Sequence, residues 1–323
     1  MSNTDSGSRK SHLHEDEIDI RDLILPIVNG KYLLILVLIV CAALGYTASK
    51  FIPEKYTSEA VLAPIIPEGD KNLGAAGGQL SAISRLTGLN LDQNSNYKIT
   101  WALEILRSQD FLYNFVIKNN LAIGVLASEG WDANKSEWII DNSIWNSDQD
   151  KWEKYYSPES SKKPSSWYIH KLFTNEILEV NQDSSTGLVH IEITTYSPSE
   201  SQRWLELLTK EINDNFRQRD ILDAKHNIEF LNTQITNTSI TELKQIFYDL
   251  IYQQTKTIMF ANAGNEYILR TLDPPTFPEE KSYPSAKLFT VGASLAGFLA
   301  AYAFLLFQHF RKKSIKSDIR DAK

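Results

Sequence analysis

Two uncharged apolar runs bracket the chain, and between them the hydrophobic positions change period several times. From Leu288 to Phe307 twenty consecutive residues carry no charge, enough for a helix of about 30 Å, the thickness of the hydrocarbon layer. A second run, Tyr32 to Ser49, has eighteen uncharged residues between Lys31 and Lys50. A cleaved secretory signal is the alternative for this run. Thirty-one residues precede it, however, and it exceeds the apolar core of about 7 to 15 residues that a signal carries. Both runs are read as membrane-spanning helices, over 32–52 and 288–308. They leave a head (1–31), a central domain (53–287) and a tail (309–323).

Within the central domain, Lys55 to Pro67 has the β-branched content and bounding prolines of a strand. The segment from Ile99 to Asn120 repeats at helical spacing through Trp101, Ile105, Leu106, Phe111, Phe115 and Val116, which fits one or two amphipathic helices. Ile177, Leu178 and Val180 form a short strand, Asp183 to Gly187 supplies a turn, and Leu188 to Tyr196 alternates as a second strand. Ser197 then caps a helix, with Pro198 at its first position and Glu200 completing a capping box. From there apolar residues recur every three to five positions with no glycine or proline. The pattern predicts a helix over about 198–236, a rod near 58 Å, where a mean globular helix has about three turns. Ser239 and Glu242 offer a second capping box for a helix reaching about Ala261.

The long helix has only a partial apolar face, because Asn213, Asn215, Gln218, Asn227, Asn232 and Gln234 interrupt it. A helix draws most of its stability from packing that face. It therefore needs neighbours, and other copies of the same chain are the simplest source. The strand Tyr267 to Leu272 leads into a stiff connector in which Pro274, Pro275, Pro278 and Pro284 fall within eleven residues.

Charge fixes an orientation. Arg311, Lys312, Lys313, Lys316 and Arg320 follow the second span against Asp318 and Asp321, a cluster of the kind kept on the cytoplasmic side. With two spans the head lies on the same side, and the central domain faces the periplasm or exterior. Of the net charge of −7, residues 1–52 carry −1 and residues 288–323 carry +4, which leaves −10 on the central domain. Such a surface does not suit a phosphate backbone, so no nucleic-acid partner is expected. The basic tail suits anionic lipid heads of the bilayer. The only cysteine, Cys41, lies within the first span and staples nothing in the central domain.

Candidate chemistry is sparse. The glycine-rich segment from Gly69 to Asn90 holds five of the fourteen glycines, yet it contains neither a P-loop nor a G-x-G-x-x-G run. It reads as a flexible segment packed on a neighbouring chain or the membrane surface. His170, His190 and His226 form no compact metal pattern, and no G-x-S-x-G is present. Acidic pairs such as Asp220 with Asp223 and Glu279 with Glu280 read as exposed surface rather than as carboxylates held across one bond. No enzyme activity, cofactor or metal is expected. Trp131, Trp138, Trp145, Trp152 and Trp167 recur at intervals of seven, seven, seven and fifteen. That row suits either stacking on sugar rings or large rings covering a core from a short helix, the commoner use. In the second span Gly292, Ala296 and Ala300 repeat four apart, and Ala293, Gly297 and Ala301 repeat the spacing on the adjoining face. Small residues in such rows let helix backbones approach closely in lipid.

Terminal spans, the segment Lys55–Leu62 after the first, the strand running into Ser197–Arg219, and the segment Lys256–Leu288 together resemble the bacterial polysaccharide co-polymerases. These are the Wzz-type chain length determinant proteins. The motif before the second span, Asp273 to Pro284 with Pro274, Pro275 and Pro278, is the most specific part of the resemblance. It implies an α+β periplasmic domain with a long projecting helix, anchored in the bacterial inner membrane by two transmembrane helices with both termini cytoplasmic. It also implies a ring-shaped homo-oligomer that acts with a membrane glycan polymerase on lipid-linked glycan and sets the modal chain length of lipopolysaccharide O-antigen or a related surface polysaccharide. Some relatives fuse a cytoplasmic tyrosine kinase to the second span. The short tail and missing P-loop do not fit that version. A periplasmic adaptor or export component for polysaccharide translocation is the alternative.

Overall fold

The structure is a computed structural model that describes residues 30–65 and 95–321, without the side chains of 95–97, 161, 310 and 312–321. Residues 1–29, the glycine-rich stretch and the lysine side chains of the tail lie outside that description. In chain order the elements are α1 (Lys31–Ala48), β1 (Tyr56–Pro64), α2 (Ser95–Leu106), α3 (Gln109–Lys118), α4 (Ala122–Leu126), β2 (Ser128–Asp132), β3 (Glu137–Ile140), β4 (Trp145–Asn146), β5 (Lys151–Trp152), β6 (Tyr156–Ser157) and β7 (Ser160–Pro164). There follow α5 (Ser166–Leu172), a π-turn (Phe173–Ile177), β8 (Leu178–Gln182), β9 (Val189–Thr195), α6 (Pro198–Asn237), α7 (Thr241–Asn262), β10 (Leu269–Asp273) and α8 (Ala286–Asp321). Contacts divide the chain into two units, one made of the terminal segments up to Ile52 and from Pro284, the other of Pro53–Tyr283.

The terminal unit is a pair of apolar helices, Lys31–Ala48 and the Ala286–His309 part of α8, both long and apolar enough to cross a membrane. Leu36, Ile39, Leu295, Leu299 and Phe304 are exposed on them, as lipid-facing side chains are.

The larger unit is an α+β domain. Its sheet has strand order β10-β1-β9-β8, antiparallel throughout. Period two puts Ala60, Leu62, Val189, Ile191 and Ile193 on one face, all buried. The first half of α6 presents Trp204, Leu205, Leu208, Ile212 and Phe216 to the same core. Helices α2 and α3 are separated where Ser108 caps α3 by accepting from Phe111 N–H, and they add Leu106, Leu112 and Phe115. The β8–β9 turn is closed by Gly187 at φ 73°, a conformation only glycine adopts without strain.

Three expectations are corrected. Ser197 does cap α6, accepting from Glu200 N–H at 3.3 Å. The reciprocal half of the capping box is absent, because the Glu200 carboxylate turns to Arg203 and to the indole N–H of Trp204, while Ser197 N–H donates to Thr195 Oγ1. The proposed box at Ser239 does not form either: α7 starts at Thr241 with Ile240 as its cap residue and no side-chain cap bond. Four of the five tryptophans lie in two hairpins rather than on a helix, and Trp167 lies on α5. Trp131 is directly opposite Trp138 on β2–β3, and Trp145 is opposite Trp152 on β4–β5. Ring centroids are 5.0 Å and 4.7 Å apart. The seven-residue interval is the length of a hairpin return repeated twice.

At 40 residues α6 is as long as its pattern predicts. Beyond Phe216 only Ala224 and Leu231 are buried on it, and α7 runs back along this half, with Asn227 Nδ2 donating to Gln254 Oε1. The first neighbour of the long helix is thus its own chain.

Candidate functional site

The features that distinguish the molecule are its two chain crossings, and they are built differently. In the terminal unit, one small-residue row of α8 faces α1. A Cβ placed on Gly45 would meet Ala293 Cβ at 2.7 Å and Phe289 O at 2.8 Å, and one on Gly297 would overlap Cys41 Sγ. Gly297 and Ala301 are buried, Ala293 half-buried. The adjoining row behaves otherwise: Gly292, Ala296 and Ala300 are exposed, and a Cβ on Gly292 would meet nothing within 4 Å.

In the larger unit, the proline-rich return is laid along β1. Thr276 N–H donates to Glu59 O at 3.1 Å, and Ser58 Oγ donates to Thr276 O at 2.7 Å. Gln202 Nε2 on α6 donates to Pro275 O at 3.0 Å. Further on, Lys55 N–H donates to Tyr283 O at 2.8 Å, and Lys55 O accepts from Ser282 N–H at 2.9 Å. Lys281 Nζ meets Glu54 Oε1 at 2.8 Å. Proline has no amide hydrogen, so Pro274, Pro275 and Pro278 interrupt ladder bonding and leave the intervening residues to make these bonds. Asp273 pairs with Val61 at the end of β10. Pro284 is buried. The first and last residues of the unit are thereby tied to each other.

Beside Lys55 a cleft of about 180 Å³ opens between the end of β9, the π-turn and the hairpins. Lys55 Nζ lies 3.2 Å from Glu176 Oε2 and 5.4 Å above the ring of Tyr196. Trp204 forms part of the wall. Tyr155, also lining it, has φ 59°, unusual for a bulky residue, and its ring packs on Tyr168 at 4.5 Å.

On the outer face of the sheet Glu59, Glu192 and Glu179 stand directly opposite one another across β1, β9 and β8. Burial first, then Glu179 and Glu59, raise the Glu192 carboxyl above its usual range, and His190 opposes the shift. Near the foot of the α6–α7 hairpin, Tyr267 Oη donates to Asp220 at 2.6 Å, and Lys98 Nζ is 3.0 Å from the same carboxylate. Burial, with Asp220 second, raises the Tyr267 phenol. Asp220 is thus engaged in a structural network rather than paired with Asp223. Among the described residues no group of histidine, cysteine and carboxylate side chains is arranged to hold a metal.

Sequence reasoning missed Lys55, Glu176 and Tyr155. Nothing in a local pattern links residues over a hundred positions apart.

Helix α1, strand β1 and helices α2 and α3 fall within residues 16–119, which match the family model described as Wzz: Chain length determinant protein. Over those residues the chain is similar to the Wzz-type chain length determinant proteins. No curated protein matches it. Among solved structures, a full-length bacterial polysaccharide co-polymerase is similar at 13% identity and a TM-score of 0.37, covering 91% of this chain and 99% of its own. A fragment of WzzB, a polysaccharide co-polymerase from Salmonella Typhimurium, is similar at 16% identity and a TM-score of 0.30, covering 72% of this chain and 100% of its own. With both scores below 0.5, the likeness to chain length determinant proteins rests on the match over 16–119.

Proposed function

We propose that the chain is a non-catalytic regulator of the modal chain length of lipopolysaccharide O-antigen or a related surface polysaccharide, acting with the membrane glycan polymerase. The observation that carries this reading is the chain length determinant match over residues 16–119. Two apolar terminal helices around an α+β domain support an inner-membrane protein whose domain, 53–287, is periplasmic and whose termini are cytoplasmic. The exposed apolar residues on the hairpin, among them Phe230, Tyr248 and Tyr252, support its self-association as a ring, in which lipid-linked glycan is handled by the polymerase.

Deleting the gene and resolving surface glycans on a gel tests the reading. Polymer synthesis should continue while a clustered length distribution becomes broad and weighted toward short chains. An unchanged profile in a cell lacking a redundant homologue overturns it, and complete loss of polymer favours an export role.

A further inference from the structure

A cleft of about 180 Å³, partly open to solvent, lies beside the buried ring of Trp204. Its wall sets polar and aromatic groups among the aliphatic side chains of Val125, Leu126, Ile144, Leu172 and Ile177. Lys55 and Glu176, 3.2 Å apart, put a cationic donor beside an anionic acceptor. Lysine carries three donors and an ionised carboxylate about four acceptor positions, so their mutual contact leaves capacity on both. Thr194 contributes to the wall beside them. Tyr155 and Tyr196 line the same space, and aromatic rings present apolar faces.

Each alternative ligand class meets an obstacle. A phosphate or carboxylate must displace Glu176 from the only lysine in the wall. An apolar molecule would bury the ion pair without replacing its water. A nucleotide is too large, since sites for drug-sized ligands run to about 300–1,000 Å³. Vicinal hydroxyls on a sugar ring fit the pair, because one oxygen accepts from the ammonium while its neighbour donates to the carboxylate. The C–H faces of the ring meet tyrosine.

Tyr155 adds an independent observation. Its φ of 59° is a conformation suited to glycine or asparagine, and backbone strain of this kind collects at functional sites. Tyr155 lines the cleft from this backbone conformation.

We infer that this cleft binds one neutral pyranose residue, held by Lys55 and Glu176 at its hydroxyls and by Tyr155 and Tyr196 at its faces. The inference rests on the chain-length reading only for the source of that sugar, a growing surface glycan. It gives the regulator a direct contact with the polymer. That contact lies at Lys55, whose backbone is bonded to Ser282 and Tyr283 and which therefore touches the segments leading to both spans.

The test is saturation-transfer NMR on the full chain in lipid nanodiscs, with the methyl glycosides of glucose, galactose, mannose and N-acetylglucosamine as probes and methyl glucuronide as the anionic control. Transfer to the ring protons of at least one neutral glycoside is expected. Lys55→Met and Glu176→Gln, which keep the shape of each side chain, should each weaken that binding about tenfold or more, as for a lost hydrogen bond to a charged group. No transfer from any of the four, undiminished binding in both variants, or a preference for the glucuronide overturns the inference. The gene-deletion phenotype does not depend on this cleft. An altered glycan profile without saturation transfer therefore sinks the sugar site alone, and saturation transfer without an altered profile sinks the chain-length reading alone.

Discussion

The side-chain carbonyl of Asn213 accepts a hydrogen bond from the backbone N–H of Ile268 at 2.9 Å, from inside the core. The same oxygen accepts from Tyr267 N–H at 2.9 Å and Leu269 N–H at 3.1 Å, while Nδ2 donates to Thr209 O at 3.0 Å. One buried amide thus fixes where the chain leaving α7 enters β10.

Asn213→Leu would leave three backbone donors without that acceptor. At about 1–3 kcal/mol for each buried group left unsatisfied, the domain should lose roughly 3 kcal/mol or more. Asn213→Asp keeps the acceptor for all three N–H groups but sets a carboxylate oxygen against Thr209 O in place of the donor, so it should cost less than Asn213→Leu without being neutral. Thermal melts of the full chain in nanodiscs decide between them, and equal losses in the two variants would contradict the role given to the carbonyl.

Asn213 also shows what sequence could and could not reveal. The spans, the strands β8 and β9 and the 40-residue α6 were legible because each rests on a local period. Asn213 looked like one of several polar residues breaking an apolar face. It occupies that face, and only its partners fifty-odd residues away explain it. The tryptophan interval failed for a related reason. A spacing of seven suits two helical turns, and it also suits a tight hairpin that brings a residue back opposite its neighbour. The cleft at Lys55 was invisible because its wall is assembled from segments distant in sequence.

The hairpin residue Trp152 and the α5 residue Trp167 should differ sharply in energetic weight. Trp152 is 2% exposed and Trp167 is 52% exposed. Trp152→Ala should therefore cost about 3–5 kcal/mol, as for a large ring removed from a core. Trp167→Ala should stay within roughly 0.5 kcal/mol of the wild type, as surface changes do. Urea midpoints compare the two, and a similar loss at both positions would count against a structural role for the buried Trp152.

The glutamate row predicts a pH dependence with a definite sign. Because the folded state raises Glu192 above its ordinary 4.5, it binds that proton more tightly than the unfolded chain. This contribution favours folding below that ordinary value and is lost as pH rises through the raised folded value. Glu192→Gln should melt higher than wild type at neutral pH and remove that slope. Asp183 works in the opposite direction. The backbone N–H of Ser185 and the hydroxyls of Thr186 and Ser185 lower it from 3.8 to about 2, so its contribution is present above 3.8 and is lost as pH falls toward 2. The windows do not overlap, and melting points across pH 2 to 8 separate them; a Glu192→Gln protein with the wild-type slope above 4.5 would refute the assignment.

The two small-residue rows of α8 should respond differently to the same substitution. Gly297→Leu places a side chain where Cys41 already sits, and the α1–α8 pair cannot close around it without shifting. In lipid the attraction between helices comes largely from close van der Waals contact, so a forced separation removes much of it. Cys41, the only cysteine in the chain, then reports directly: its labelling by a membrane-permeant maleimide in nanodiscs should rise several-fold in the variant. Gly292→Leu points into open space and should leave Cys41 as protected as in the wild type. Glycan profiles from cells carrying each variant add the functional half. A shift toward short chains with Gly297→Leu but not Gly292→Leu assigns coupling to the helix pair within one chain, whereas the reverse assigns it to a partner lying on the Gly292, Ala296 and Ala300 row. Equal labelling of Cys41 in both variants would show that the packing seen at Gly297 does not hold the spans together.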